Sequence, residues 1–188
     1  STFMMYLGLK KEYLSTPHHT IVFSEDYHKN VIEIFETKKL SSNPSLYIQN
    51  PCVTDDSLAP AGKSAVYILV PVPNNTSGID WDKEKETFRD LVLDTISKRT
   101  EMKDIRENIE EEIILTPKDW QDKKSVYYGA TFNLAHNIGQ MLYLRPHNRF
   151  EEYDNCYIVG GGTHPGSGLP TIYESAKISV SLLEKDLE

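Results

Sequence analysis

Cysteine is scarce. Cys52 and Cys156 are the only two in the chain, too few for a disulfide framework and without the Cys-x-x-Cys spacing of a zinc site. That usage fits a reducing, cytoplasmic compartment, and Cys156, beside an apolar run, reads as a small buried thiol. Long hydrophobic runs are lacking too. The longest clean one, Ala65 to Val72, falls far short of the ~20 apolar residues of a membrane span, so any membrane contact is expected to be peripheral. Basic charge is in deficit: 28 acids face 20 bases, a net charge of −8, which argues against a nucleic-acid groove. There is no His-Glu-x-x-His. Side chains of the adjacent His18 and His19 diverge, and His136 and His147 have no acidic partner at a ligand spacing, so no metal site is expected. The absence of Gly-x-Ser-x-Gly removes the usual hydrolase nucleophile. The acidic run Glu110 to Glu112 reads as a solvated edge.

What is present describes an ordinary globular chain. Hydrophobic residues make up 39% and charged residues 26%, and the length allows one real core, with room for an appendage. Thr2 to Leu9 is a nearly unbroken apolar run, expected as a strand covered on both faces. Thr20 to Ser24, Leu46 to Gln49 and Ala65 to Val72 read as strands, the last stopped by Pro71 and Pro73. Val31 to Thr37 fits strand or helix. Asp80 caps a helix carrying Phe88, Leu91, Val92, Thr95 and Ile96 on one face. Ile109 to Leu115 is a further strand, and Thr116-Pro117-Lys118-Asp119 opens a helical turn. From Gly129 to Leu144 the pattern is ambiguous, with Phe132, Ala135, Ile138 and Leu142 at helical spacing. Strands precede helices, which predicts an α+β fold around a mixed or antiparallel sheet.

The last part of the chain is different in kind. Tyr157 to Val159 is a short β-type run, expected inside a sheet. Gly160, Gly161, Gly162, Gly166 and Gly168 then fall within nine positions. A helical pattern follows at Ile172, Ser175, Ala176, Ser179, Val180 and Leu183, with a Thr171-x-x-Glu174 capping box and Pro170 at its entrance. Glycine lets a backbone take positive φ and lie directly against a ligand. A helix N-terminus adds unpaired N–H groups and a positive dipole end. A phosphate-binding P-loop fails here, because Ser167 stands where its lysine would be. The Gly-x-Gly-x-x-Gly dinucleotide fingerprint fits only loosely and lacks a following βαβ unit. A glycine-rich surface turn is the plain alternative.

The stretch Asn155-Cys156-Tyr157-Ile158-Val159-Gly160-Gly161-Gly162-Thr163-His164-Pro165-Gly166-Ser167-Gly168-Leu169, followed by Ser175, resembles the C-terminal signature of bacterial-type phytoene desaturases, in its letters closest to those acting on diapophytoene. Arg145-Pro146-His147-Asn148-Arg149 is similar to the segment preceding that signature. Leu58-Ala59-Pro60 with Tyr67-Ile68-Leu69-Val70-Pro71-Val72-Pro73 resembles a strand of the family's substrate domain. The resemblance implies the C-terminal part of an FAD-dependent enzyme that dehydrogenates CH–CH bonds of phytoene or diapophytoene. Residues 1–148 would be part of a substrate-binding domain. Residues 149–188 would be the strand, glycine loop and helix that complete a Rossmann-like FAD domain, whose N-terminal dinucleotide-binding portion is not in this chain. By the same resemblance, Gly160, Gly161, Gly162, Thr163, His164, Pro165, Gly166, Gly168 and Leu169 would contact FAD. Phe132 and Leu142 would line the entry of an apolar polyene, core packing being the alternative. Arg145 and Arg149 would approach a cofactor phosphate or lipid head groups unless they are plain surface arginines. Catalytic side chains are not assigned, since the cofactor carries the hard chemistry. Two rival readings are a sister flavoprotein (a carotene isomerase, a terminal-methyl oxidase or a retinoid saturase) and a non-catalytic module for an apolar ligand.

Overall fold

Alternation in the first strand organises everything around it. In β1 (Thr2–Leu9) the side chains of Phe3, Met5, Leu7 and Leu9 are buried on one face; on the other Thr2 and Met4 are buried, Tyr6 is exposed and Gly8 half-buried. One face is therefore sealed, and the two-sided burial expected from the apolar run holds only toward the start of the strand. The computed structural model describes all residues, Ser1–Glu188. They form two units, Ser1–Thr131 and Phe132–Glu188, so residues 132–148 group with the glycine stretch and not with the preceding strands.

The first unit is α+β. Strands β1, β2 (His19–Val22), β3 (Leu46–Gln49), β4 (Ser64–Pro71) and β5 (Ile109–Leu115) form one sheet in the order β2-β3-β4-β1-β5. Every neighbouring pair is antiparallel. Helix α1 (Tyr27–Phe35) resolves the ambiguity at Val31. It starts upstream of that window, where the Asp26 side chain accepts from Lys29 N at 2.9 Å, a cap that commits the segment to helix. Helix α2 (Trp81–Arg99) begins as expected at Asp80, whose carboxylate accepts from Asp82 N. It buries Phe88, Val92, Leu93 and Ile96 in the same cluster as the sealed face of the sheet. Trp81 stacks on Phe3 with ring centroids 5.7 Å apart, and Phe88 meets Phe3 edge-on at 5.1 Å. Each such side chain contributes about 1.5–3 kcal/mol by leaving water.

Helix α3 (Pro117–Lys124) carries a full capping box. The Thr116 hydroxyl accepts from Asp119 N, and the Asp119 carboxylate accepts from Thr116 N. Gly129, at φ +62, follows in a short 3-10 turn against the start of this helix.

From Gly129 onward one ambiguity is resolved and one expected strand goes unpaired. Gly129 to Leu144 holds no α-helix despite its spacing. Its ordered pieces are 3-10 turns at Tyr127–Gly129, Ile138–Gln140 and Leu142–Leu144, with positive φ at Asn133 and Leu142. The carbonyls of Leu134, Ala135 and Gln140 turn toward the Arg145 guanidinium, so they do not serve a helical ladder. Tyr157 to Val159 joins no sheet. It makes one bridge, Arg149 to Tyr157, and the bonds Ile158 N to Asn148 O and Phe150 N to Cys156 O. Cys156 is half-buried. Helix α4 (Leu169–Leu187) closes the chain. Its N-cap is Gly168, three residues before the Thr171 of the expected capping box, with Pro170 in the first turn. The Thr171 hydroxyl instead donates back to the Ser167 and Gly168 carbonyls.

Candidate functional site

The glycine stretch forms a loop from Gly160 to Gly168 that runs into α4. Positive φ occurs at Gly160 (+128°), Gly166 (+151°) and Gly168 (+98°), which L side chains rarely adopt. A Cβ added at Gly160 or Gly166 would meet nothing within 4 Å. At these two positions glycine answers to the backbone conformation and not to crowding by a neighbour. Gly162 differs: a Cβ there would lie 2.9 Å from the Asn133 side-chain amide, the end of an exposed side chain.

A polar seam fixes the loop from below. The Ser175 and Ser179 side chains of α4 are buried where the periodicity suggested mainly apolar packing, while Val180 and Leu183 point outward. Ser175 Oγ lies 2.7 Å from Thr163 Oγ1 and accepts from Asn148 Nδ2 at 2.8 Å and from Gly160 N at 3.2 Å. Ser179 Oγ donates to Ile158 O at 2.8 Å. Asn148 is 2% exposed and also donates to Ser175 O. Thr163 Oγ1 is 2.9 Å from Gly160 O, closing the turn. Buried polar groups this well satisfied hold one geometry.

Arg145 is the clearest departure from expectation. Neither a surface residue nor free to meet a ligand, it is 2% exposed. Every group it bonds is a backbone carbonyl: Gln140 at 2.7 Å and Gly161 at 2.8 Å most closely, with Leu134 and Ala135 at 3.5 Å. A planar guanidinium suits this, having five donors in a fixed fork. No carboxylate pairs with it, so a positive charge sits beside the loop balanced only by dipoles. Arg149 instead bonds Asp186, which Tyr157 also approaches. These exposed contacts hold the Asp186 carboxyl below its ordinary value, the Tyr157 hydroxyl first and Arg149 next, and push the Tyr157 phenol up.

His164 is half-buried. Its backbone N donates to Pro146 O, and its Nδ1 donates to Leu142 O at 2.8 Å. A carbonyl can only accept, so Nδ1 carries a proton and Nε2 is left as the acceptor of the neutral ring. The peptide from His164 to Pro165 is cis. His136 Nε2 lies 2.7 Å from Ser167 Oγ. His147, for which no acidic partner was expected, lies 3.3 Å from Glu151. Leu169 is exposed, and so are Phe132 and Leu142, at 58% and 62%. The loop thus gathers Gly160 to Gly168, Arg145 and Asn148 on one scaffold, while the side chains of Phe132 and Leu142 are exposed. Asn148 escaped the sequence reading. Its only signal was its place in the Arg145 to Arg149 segment, since burial of a lone asparagine leaves no periodicity.

The chain is 60% identical over 185 residues to a 4,4'-diapophytoene desaturase (4,4'-diapolycopene-forming) of Methylomonas sp, covering 98% of this chain and 36% of the relative. The chain is homologous to the carotenoid desaturases. It is also 39% identical over its whole length to a phytoene desaturase (lycopene-forming) of Pseudescherichia vulneris, 38% of which it covers. An all-trans-zeta-carotene desaturase of Myxococcus xanthus is 42% identical over 187 residues, with 35% of it covered. This desaturase homologue therefore spans little more than a third of the length of the curated relatives it matches. No protein-family model matches it.

Proposed function

We propose that this chain is the C-terminal part of an FAD-dependent carotenoid desaturase that dehydrogenates phytoene or diapophytoene. The observation that carries the reading is the loop itself. Main chain with open space at Gly160 and Gly166 is held rigid by Asn148, Thr163 and Ser175, in a chain whose relatives are carotenoid desaturases. When bound, the flavin would supply the electron acceptor for removing hydrogen across a CH–CH bond.

The residues present fit that group. Gly160, Gly161, Gly162 and Gly166 would let it approach the backbone, and Thr163, His164, Pro165, Gly168 and Leu169 would frame the corner. The unneutralised Arg145 and the N-terminal end of α4 both favour an electron-rich or anionic group at the loop. His164, oriented by Leu142 O, would offer Nε2 as a hydrogen-bond acceptor. Supporting a longer protein, Leu169, Tyr173, Val180, Leu183 and Leu187 form an exposed apolar stripe along α4, spaced three to four residues apart or at twice that interval. Such a face suits packing onto further protein, here the remainder of a Rossmann-like FAD domain. In this reading the first unit belongs to the substrate domain, and Phe132 and Leu142 stand near the polyene entry. No helix is long and apolar enough to cross a membrane. The exposed Ile138, Leu142, Tyr143 and Leu144 suit a cytoplasmic enzyme resting on a bilayer surface, from which an apolar substrate would be drawn.

The test is Gly162→Val in a chimaera in which this chain replaces the matching stretch of the Methylomonas desaturase. Asn133 can swing aside, so the fold is expected to survive with a melting temperature within a few degrees of the parent. Flavin content after gel filtration should fall at least tenfold. A stoichiometric flavin complement in that variant contradicts the site. The chain by itself should retain FAD weakly or not at all, and a yellow preparation of it would contradict the proposed division of the cofactor site.

A further inference from the structure

Desaturation of a CH–CH bond removes one hydrogen with its electron pair and the other as a proton. In the proposed desaturase the first goes to the flavin, and the second is left to the protein. A proton cannot remain in a site shaped for hydrocarbon, where an unpaired charge is costly. Beside the glycine loop that cost rises, because the buried Arg145 already holds a positive charge there, bonded to carbonyls alone. The proton therefore needs a path to water. One pair of side chains in the Phe132–Glu188 unit has the form of such a path: His136 Nε2 lies 2.7 Å from Ser167 Oγ. Ser167 is half-buried, between Gly166 and Gly168 at positive φ, and His136 is exposed, so the pair runs from the loop out to solvent. Both ends are fixed. Thr171 Oγ1 donates to the Ser167 carbonyl. Ala135 N, next to His136, donates to Gln140 Oε1 at 2.8 Å, and the Ala135 carbonyl turns to Arg145.

A second histidine on the loop differs in the one respect that matters. His164 Nδ1 donates to Leu142 O at 2.8 Å, which leaves that ring no second nitrogen from which to release a proton to water. The His136 ring has Ser167 as its one hydrogen-bond partner in the protein, and its Nδ1 is free to exchange with solvent. An imidazole so placed takes a proton on one nitrogen and gives one up from the other. We infer that Ser167 and His136 carry the proton of desaturation away to water. The inference rests on the desaturase reading for the proton's source, and on this pair for its route. Ser167 Oγ bonds the substrate proton as its own proton passes to His136 Nε2, and the resulting imidazolium gives a proton to water. The electron pair of the broken C–H bond becomes the second bond of the new C=C. The other hydrogen leaves with two electrons to the flavin. Serine alone is a weak base, and the neutral ring behind it supplies the affinity for the proton.

The first test needs neither flavin nor substrate. Nitrogen-15 NMR of this chain should show His136 as the Nδ1–H tautomer with Nε2 accepting, and Ser167→Ala should move those ring shifts while the melting curve stays put. An Nε2–H tautomer at His136, or ring shifts untouched by Ser167→Ala, overturns the relay. The second test uses the chimaera. His136→Ala, at an exposed side chain that costs the fold little, should keep its flavin within about twofold of the parent. Its turnover of diapophytoene should fall about tenfold or more, and imidazole added to the buffer should restore much of it. Ser167→Ala should lose turnover without being rescued by imidazole, because its own ring is still in place. Full turnover by His136→Ala, loss of its flavin, or failure of imidazole to restore it overturns the relay and leaves the desaturase reading standing. An unmodified chimaera that does not desaturate defeats that reading, and the relay with it.

Discussion

Replacing Arg145 by methionine should loosen the whole glycine loop, lowering the stability of the Phe132–Glu188 unit by about 3 kcal/mol or more. A hydrogen bond to a charged group contributes about 1.5–3 kcal/mol net, and Arg145 holds two short ones, to Gln140 O and Gly161 O, besides three longer ones. Methionine fills similar space but leaves those carbonyls without a donor in a buried site, where each unmet group costs about 1–3 kcal/mol. Arg145→Lys is not expected to rescue the loop, because one ammonium cannot span carbonyls drawn from both sides of a planar fork. Amide hydrogen exchange resolved by residue is the measurement. Gly161 to Thr163 and the 138–144 turns should exchange much faster in both variants, with strands β1 and β4 unchanged. Exchange at the loop equal to the original chain would show that the guanidinium is not its anchor. In the proposed flavin enzyme the same substitution removes the fixed charge near the cofactor, so flavin loss should accompany the loosened loop.

Gly129→Ala should be about as damaging to the other unit. An added Cβ would fall 2.1 Å from the Pro117 carbonyl oxygen and 2.8 Å from its carbon, both backbone atoms, at a φ of +62°. The left-handed conformation alone costs a residue with a Cβ about 1–2 kcal/mol. Relieving the overlap means moving the start of α3, whose Pro117 carbonyl also accepts from Asn75 Nδ2 at 3.0 Å, and such overpacking costs about 1–3 kcal/mol more. A chemical denaturation midpoint shifted by about 3 kcal/mol is expected. As a control, Gly62→Ala has φ +78° but nothing within 4 Å, so it should lose only the conformational part. Equal losses for the two would show that the crowding at Pro117 is relieved without effort.

How much of this was legible in the sequence follows the range of the forces involved. Strands β1, β3, β4 and β5 and helix α2 announced themselves through apolar spacing and the Asp80 cap, because burial on one face repeats along the chain. Antiparallel pairing was one of two sheets allowed, and no local signal chose it. The glycine loop was found by composition and its letters. Its supports were not, because Arg145, Asn148 and Ser175 act through single long-range hydrogen bonds that leave no period. The same force decided the ambiguous stretch from Gly129 to Leu144 against a helix, since carbonyls drawn to a guanidinium are lost to a ladder. Tyr157 to Val159 has strand composition but pairs with no strand of the described sheet. Where β1 read as covered on both sides, burial on the second face holds at Thr2 and Met4 and stops at Tyr6, which faces outward.

The serine-lined inner side of α4 has a thermal consequence. Exposing hydrocarbon to water raises the heat capacity of unfolding, while exposing hydroxyls and amides lowers it. Ser175, Ser179, Asn148 and Thr163 at the join between α4 and the loop should therefore give that join a flatter stability curve than the Phe3–Trp81–Phe88 core. Cooling, which weakens hydrocarbon cohesion, would leave the loop set in place while the aromatic core relaxes first.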